Sequence, residues 1–145
     1  MENTLTKFVN TIVNPHRELS SLVGPIMYYS LFLRDILHRL HPSFMEQRDI
    51  NSPTNTSSGE ALSPWHAAAC MDDRLRTAAF IRGAIDSVQH LLDHSTHRPL
   101  HLIEAGCGPL GTLVLPLLAH FKSEDLEVSV IDLSLIHISE PTRPY

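Results

Sequence analysis

Between Leu100 and Asp132 the chain follows an order that few folds accommodate. A short apolar run meets a cluster of glycines, then a longer apolar run, then a second short run that ends on an acid. Gly106, Gly108 and Gly111 fit the pattern G-x-G-x-x-G. They directly follow Leu100 to Ala105, a run suited to a buried strand. Thr112 to Phe121 is apolar enough for a helix packed on a sheet, with Pro116 either kinking it or redefining its start. Lys122 to Asp125 is a charged loop, and Glu127 to Leu133 alternates into a second strand. Strand, glycine loop, helix and strand form a βαβ unit, whose right-handed crossover sets the two strands parallel. The expected fold class is therefore α/β: the start of a Rossmann-like doubly wound sheet, preceded by N-terminal helices and truncated.

Helical periodicity dominates upstream. Leu5, Phe8, Val9, Ile12 and Val13 recur on one helical face, with Asn3 or Thr4 as cap and Pro15 as stop. A second helix is expected from about Ser21 to Leu40, burying Leu22, Ile26, Tyr29, Leu33, Ile36, Leu37 and Leu40, and ending at His41-Pro42. From about Asp49 to Ser63 the composition turns to Asn, Ser, Thr and Pro without periodicity, as in a linker. Ser63-Pro64 reads as an N-cap followed by proline at the first helical position. A short turn from Trp65 to Cys70 precedes a longer helix capped by Asp72 or Asp73. Leu75, Ala78, Ala79, Ile81, Ile85, Val88 and Leu92 form its apolar side, and Pro99 stops the chain beyond it.

Composition removes several functional classes. Of the 145 residues, 43% are hydrophobic and 19% charged, the balance of a soluble globular protein. A formal charge of −5 argues against a phosphate-backbone binder, and no basic run suggests a local nucleic-acid patch. Cys70 and Cys107 are too few for a disulfide framework, and neither has a CxxC partner. Met1 to Val13 lacks the continuous apolar run of a signal peptide. Leu22 to Leu33 is too short for a bilayer core of roughly 30 Å. No membrane partner is expected, and the cytoplasm is the default location.

The chemistry concentrates around the glycines. Glycine lets the backbone take tight turns and approach a ligand closely. An acid ending the second strand, Asp132, can accept hydrogen bonds from both hydroxyls of a ribose. Together they imply a nucleoside-bearing cofactor. Glu104 narrows the choice: an anion at the strand end would repel a pyrophosphate but suits a cofactor with cationic groups. S-Adenosylmethionine carries an ammonium and a sulfonium.

Ile103-Glu104-Ala105-Gly106-Cys107-Gly108-Pro109 resembles the first motif of class I S-adenosylmethionine-dependent methyltransferases. Val130-Ile131-Asp132-Leu133-Ser134 resembles their second motif, whose acid holds the adenosine ribose. The family's usual third glycine is Leu110 here, and Gly111 follows one position later. Upstream, Asp73-x-x-Arg76-Thr77-x-x-Phe80 is similar to a helix of protein arginine methyltransferases, where the arginine pairs with the cofactor carboxylate. The resemblance spans roughly Asp72 to Ser134. It implies S-adenosyl-L-methionine held by Arg76, Glu104, Gly106, Cys107, Gly108 and Asp132, and methyl transfer to an unidentified nucleophile, a protein arginine being one candidate. No acceptor-site base is assigned.

Simpler roles compete at each position. The glycines could serve only a tight turn, Glu104 a solvated strand end, and Asp132 a cap. Arg76 is as well explained by a pair with Asp72 or Asp73, and Arg82 is read as a helix-surface residue. Cys107 has no base tied to it and is not read as a nucleophile. His90, His94 and His97 could share a helix face, but no further ligand completes a zinc pattern. The enzyme alternative is a nicotinamide-dinucleotide-dependent oxidoreductase. The non-enzyme alternative is a helical interaction module on a degenerate nucleotide fold.

Pro141 and Pro144 rule out a helix after Ser134. The closing string from Ser134 to Tyr145 resembles a translated sequencing-adapter tail. The expected organisation is thus a helical section over 1–48, a linker over 49–63, an incomplete cofactor-binding domain over 64–133 and a non-native tail over 134–145. On that reading the chain is an enzyme fragment, inactive by itself.

Overall fold

The computed structural model describes residues 4–40, 54–56, 59–61 and 68–132. Ser63-Pro64, Trp65 and the segment after Asp132 lie outside the described residues. Helix α1 spans Thr4–Ile12 and buries Val9 and Ile12, as its periodicity requires. A single turn at Leu19–Leu22 leads into α2, Val23–Leu40. Pro25 falls in the first turn of α2, where backbone N–H groups have no intrahelical acceptor to lose. Ile26, Tyr29 and Leu33 are buried along α2. Leu40, expected inside, is 70% exposed, and Ile36 is also exposed. The far end of α2 runs past the core.

Within the stretch expected to be a linker, β1 (Thr54–Thr56) pairs antiparallel with β2 (Gly59–Ala61). Helix α3 runs from Arg74 to His94 after a short turn at Cys70–Asp72. Asp73 is its cap, the carboxylate accepting the Arg76 N–H at 3.2 Å. Asp72 is instead engaged by Arg34, whose Nη2 reaches both carboxylate oxygens at 3.1 and 3.2 Å and the Ala68 carbonyl at 3.3 Å. Thr77, Ala78, Ile81, Ile85, Val88 and Leu92 form the buried stripe of α3. Leu75 and Ala79 lie outside it, because the stripe is narrower than the apolar set in the sequence.

Strand β3 (Leu100–Ala105) and strand β4 (Leu126–Ile131) are parallel, in register from Leu100 opposite Leu126 to Ala105 opposite Ile131. Helix α4, Val114–His120, lies between them in the chain. Pro116 sits in the first turn of α4, so it marks the start rather than a kink. Period-two alternation splits the sheet. Leu100, Leu102, Leu126 and Val128 pack on the core, whereas Ile103 and Ile131 are 60% and 52% exposed. The result is a mixed α/β structure with a two-stranded parallel sheet covered by helices on one face.

One buried cluster joins α1, α2, α3, α4 and the sheet, including Val9, Ile12, Leu22, Ile26, Ile81, Leu110, Leu117 and Leu126. Arg82, read from sequence as a surface residue, is half-buried and holds the end of α1. Its Nε donates to the Ile12 carbonyl at 2.9 Å, and its terminal nitrogens reach Asn14 and Arg17 carbonyls at 3.1–3.2 Å. The Ile12 carbonyl at the end of α1 and two carbonyls of the turn after it are thus gathered by one guanidinium with several donors. Among the described residues, no helix is long and apolar enough to cross a membrane. No group of metal-ligating side chains assembles there either, and His94 Nδ1 is instead 2.8 Å from the His90 carbonyl.

Candidate functional site

The chain leaves β3 through three glycines, all with left-handed backbone: φ is 78° at Gly106, 62° at Gly108 and 51° at Gly111. An L-residue at such angles brings its Cβ against the following carbonyl, so the glycines set the loop's path. Leu110, at the position where the resembled family has glycine, is buried and anchors the loop in the core. The Gly106 N–H donates to the Ile131 carbonyl at 2.7 Å, extending the strand ladder by one step. The Gly108 N–H donates to Asp132 Oδ2, also at 2.7 Å. Asp132 thus grips the loop from the end of β4, a charge-assisted bond that the sequence pattern did not reveal.

Beside this loop lies a cleft of about 270 Å³. Its lining includes Arg76, Glu104, Gly106, Cys107 and Gly108, five of the six residues singled out from sequence. Asp132, the sixth, is not in the lining and reaches it through the Gly108 N–H. Thr77 and Phe80 also line the cleft, one α-helical turn apart on α3. Both stand in the motif read around Arg76, which offered the signal for them. Cys70, Met71, Thr112 and Leu113 complete the wall, and no local pattern announced them.

The electrostatics are those of an acidic site partly withdrawn from water. Glu104 Oε2 is buried without a hydrogen-bond partner. Burial raises the Glu104 pKa above the usual carboxyl range, while the Val114 backbone N–H works the other way. The Cys107 thiol is raised by burial, then by the negative charges of Asp132 and Glu104, with its own backbone N–H opposing. It is held as a thiol, not a nucleophilic thiolate. Arg76 stands at the rim with half its side chain exposed. Its Nε is 3.6 Å from Asp73 Oδ2, and its Nη2 donates to the Cys70 carbonyl at 3.3 Å. The bland pairing and the cleft position therefore coexist.

Tyr29 is a neighbour that the sequence placed only among the buried residues of the second helix. Its ring stacks on Phe8 at 4.2 Å between centroids, and its hydroxyl donates to the Thr112 carbonyl at 3.0 Å. Burial and then the Glu104 charge raise its pKa. Compared with protein-family models, with curated proteins and with solved structures, the chain matches none.

Proposed function

We propose that the cleft binds S-adenosyl-L-methionine and that the chain is the cofactor-binding part of a Rossmann-like methyltransferase. The observation that carries this reading is the buried, unpartnered Oε2 of Glu104 in the wall of a cleft bordered by a glycine loop. A buried acceptor without a partner is costly, and a cationic ligand group removes that cost. The ammonium of the cofactor's methionine end meets that requirement, whereas a pyrophosphate would add repulsion. Gly106 and Gly108 let the ligand approach the backbone, and Arg76 at the rim is available to the carboxylate. Asp132, already holding the loop, stands on the side assigned to the ribose. The bound cofactor supplies an electrophilic methyl group on a sulfonium sulfur. The residues described here bind and orient it, which is where such a site exerts its catalytic leverage.

Calorimetry of the protein with S-adenosylhomocysteine, NAD and adenosine tests the reading. The homocysteine product should bind, NAD should not, and Asp132→Ala should weaken binding by about 1.5–3 kcal/mol, the range for hydrogen bonds to a charged group. Tighter binding of NAD than of S-adenosylhomocysteine would return the site to the nicotinamide class.

A further inference from the structure

The N-terminal helices have no part in the motifs that suggest a cofactor, yet α2 bonds to a residue that lines the cleft. Tyr29 lies in the middle of α2, is 2% exposed, and spends its only hydroxyl proton on the Thr112 carbonyl. Thr112 lines the cleft, and two residues later Val114 opens α4 with a backbone N–H that faces Glu104. The Leu115 N–H reaches back to the Gly111 carbonyl at 3.1 Å, but the residue four on from Thr112 is Pro116, which has no N–H to give its carbonyl. The Tyr29 hydroxyl supplies the hydrogen bond that Pro116 cannot. Phe8 from α1 fixes the tyrosine ring by stacking, so two helices act together on one carbonyl.

We propose that Tyr29 is a positioning residue for the cleft. By holding the Thr112 carbonyl, it keeps the Val114 N–H directed at the Glu104 carboxylate, and the N-terminal helices brace the ligand site from behind its wall. The inference deepens the cofactor reading and rests on it for its ligand, but its main test needs no ligand. A phenylalanine at this position would keep the ring and the stack, and lose only the hydroxyl. The Val114 N–H would then drift from Glu104, whose charged form would lose support. The other titratable groups around Glu104 are Tyr29 from α2, Cys107 in the loop, Arg76 in the cleft lining and, beside Cys107 at the end of β4, Asp132.

The test is an NMR titration of Glu104 in the full 145-residue chain, comparing wild type, Tyr29→Phe and Ile26→Val. Ile26→Val trims a buried side chain on the same helix and serves as the purely structural control. Tyr29→Phe should move the Glu104 midpoint to higher pH and shift the Thr112–Val114 amide signals, whereas Ile26→Val should leave both at their wild-type values. An unchanged midpoint in Tyr29→Phe, or an equal change in both variants, overturns the proposal. Wild type alone gives a second check: the Tyr29 hydroxyl proton should exchange slowly with solvent, and fast exchange also overturns it. In calorimetry, Tyr29→Phe should weaken S-adenosylhomocysteine binding roughly threefold to tenfold, the worth of one hydrogen bond. A wild-type chain that ignores S-adenosylhomocysteine sinks the cofactor reading, while the titration still decides the role of Tyr29.

Discussion

Two clefts share Tyr29 as a neighbour and are built from different material. One, of about 360 Å³, lies between α1 and α2 and is lined by Leu5, Phe8, Tyr28, Tyr29, Leu31 and Phe32, with Thr4 at its edge. The other, of about 270 Å³, is bounded by the glycine loop and carries Glu104 and Arg76. The larger has no charged side chain in its lining and no buried polar atom left unpaired. It can retain an apolar group by area, but it has nothing to orient one. The smaller has convergent polar groups, an acid with an unsatisfied oxygen and a backbone free of side chains, the features that distinguish a recognition site from a gap between helices. Size is therefore the poorer guide here, and unsatisfied chemistry the better one.

The sharpest way to break that distinction is to neutralise Glu104. Glu104→Gln should weaken S-adenosylmethionine binding by about 1.5–3 kcal/mol, as expected when a charge-assisted hydrogen bond is lost. It should not alter uptake of an uncharged apolar probe by the larger cleft. The pH dependence follows from the direction of the Glu104 shift. Its folded pKa is raised, so between the ordinary carboxyl range and the raised value the folded state binds more protons than the unfolded one. Stability should fall as pH rises through that window and then level off. Affinity for a cationic cofactor should rise through the same window, because only the carboxylate attracts it. In Glu104→Gln the affinity slope should vanish and the stability slope should lose the Glu104 contribution, read by calorimetry and chemical denaturation across the acidic range. A wild-type affinity that is flat with pH would remove Glu104 from the site.

Next in size is the loop backbone. A Cβ added at Gly106 would meet nothing within 4 Å, so Gly106→Ala tests conformation rather than crowding. At φ 78° the substitution should cost about 1–2 kcal/mol in a urea melt, the penalty for a left-handed L-residue. Gly83, inside α3 and equally uncrowded, gives the opposite sign. Gly83→Ala should stabilise by roughly 0.5–1 kcal/mol, since alanine favours a helix interior. Equal effects at the two glycines would mean that the loop's left-handed turn is not a constraint on this fold.

The legible parts of the molecule are those whose signal is local. Strand β3, the glycine loop and Asp132 lie within one βαβ unit, where alternation, left-handed turns and a terminal acid follow directly from backbone geometry. The α1 stripe and the Asp73 cap were legible for the same reason. Side chains that act across long sequence separations left no such trace. Arg82 clamping the end of α1, Arg34 pairing with Asp72, and Tyr29 holding Thr112 each join residues far apart in the chain. Nothing at either end of those bonds looks unusual in sequence. Leu75 and Leu40 were misjudged for another reason: an apolar residue on a helix is a candidate for burial, but only packing decides which ones face the core. Glu104 shows the limit from the other side. Its place before the glycines was readable, but the unpaired oxygen that gives it chemical meaning is a property of the packed structure.

The smallest expected effects come from a matched pair at the two rims. Arg76 borders the glycine cleft with a side chain 51% exposed, and Leu31 borders the apolar cleft at 57%. Both stand on helices, and neither belongs to the buried cluster. Arg76→Ala removes a surface ion pair with Asp73 and one bond to the Cys70 carbonyl, and Leu31→Ala removes apolar atoms that remain largely wet. Each should change folding stability by no more than about 0.5 kcal/mol. Ligand affinity separates them. If Arg76 meets the cofactor carboxylate, Arg76→Ala should weaken S-adenosylmethionine by up to about 1 kcal/mol, the scale of an exposed pair. It should leave adenosine, which has no carboxylate, at its wild-type affinity. Leu31→Ala should change neither ligand. Equal losses for S-adenosylmethionine and adenosine in Arg76→Ala would show that the arginine supports the cleft's shape, and the contact with the carboxylate would then be withdrawn.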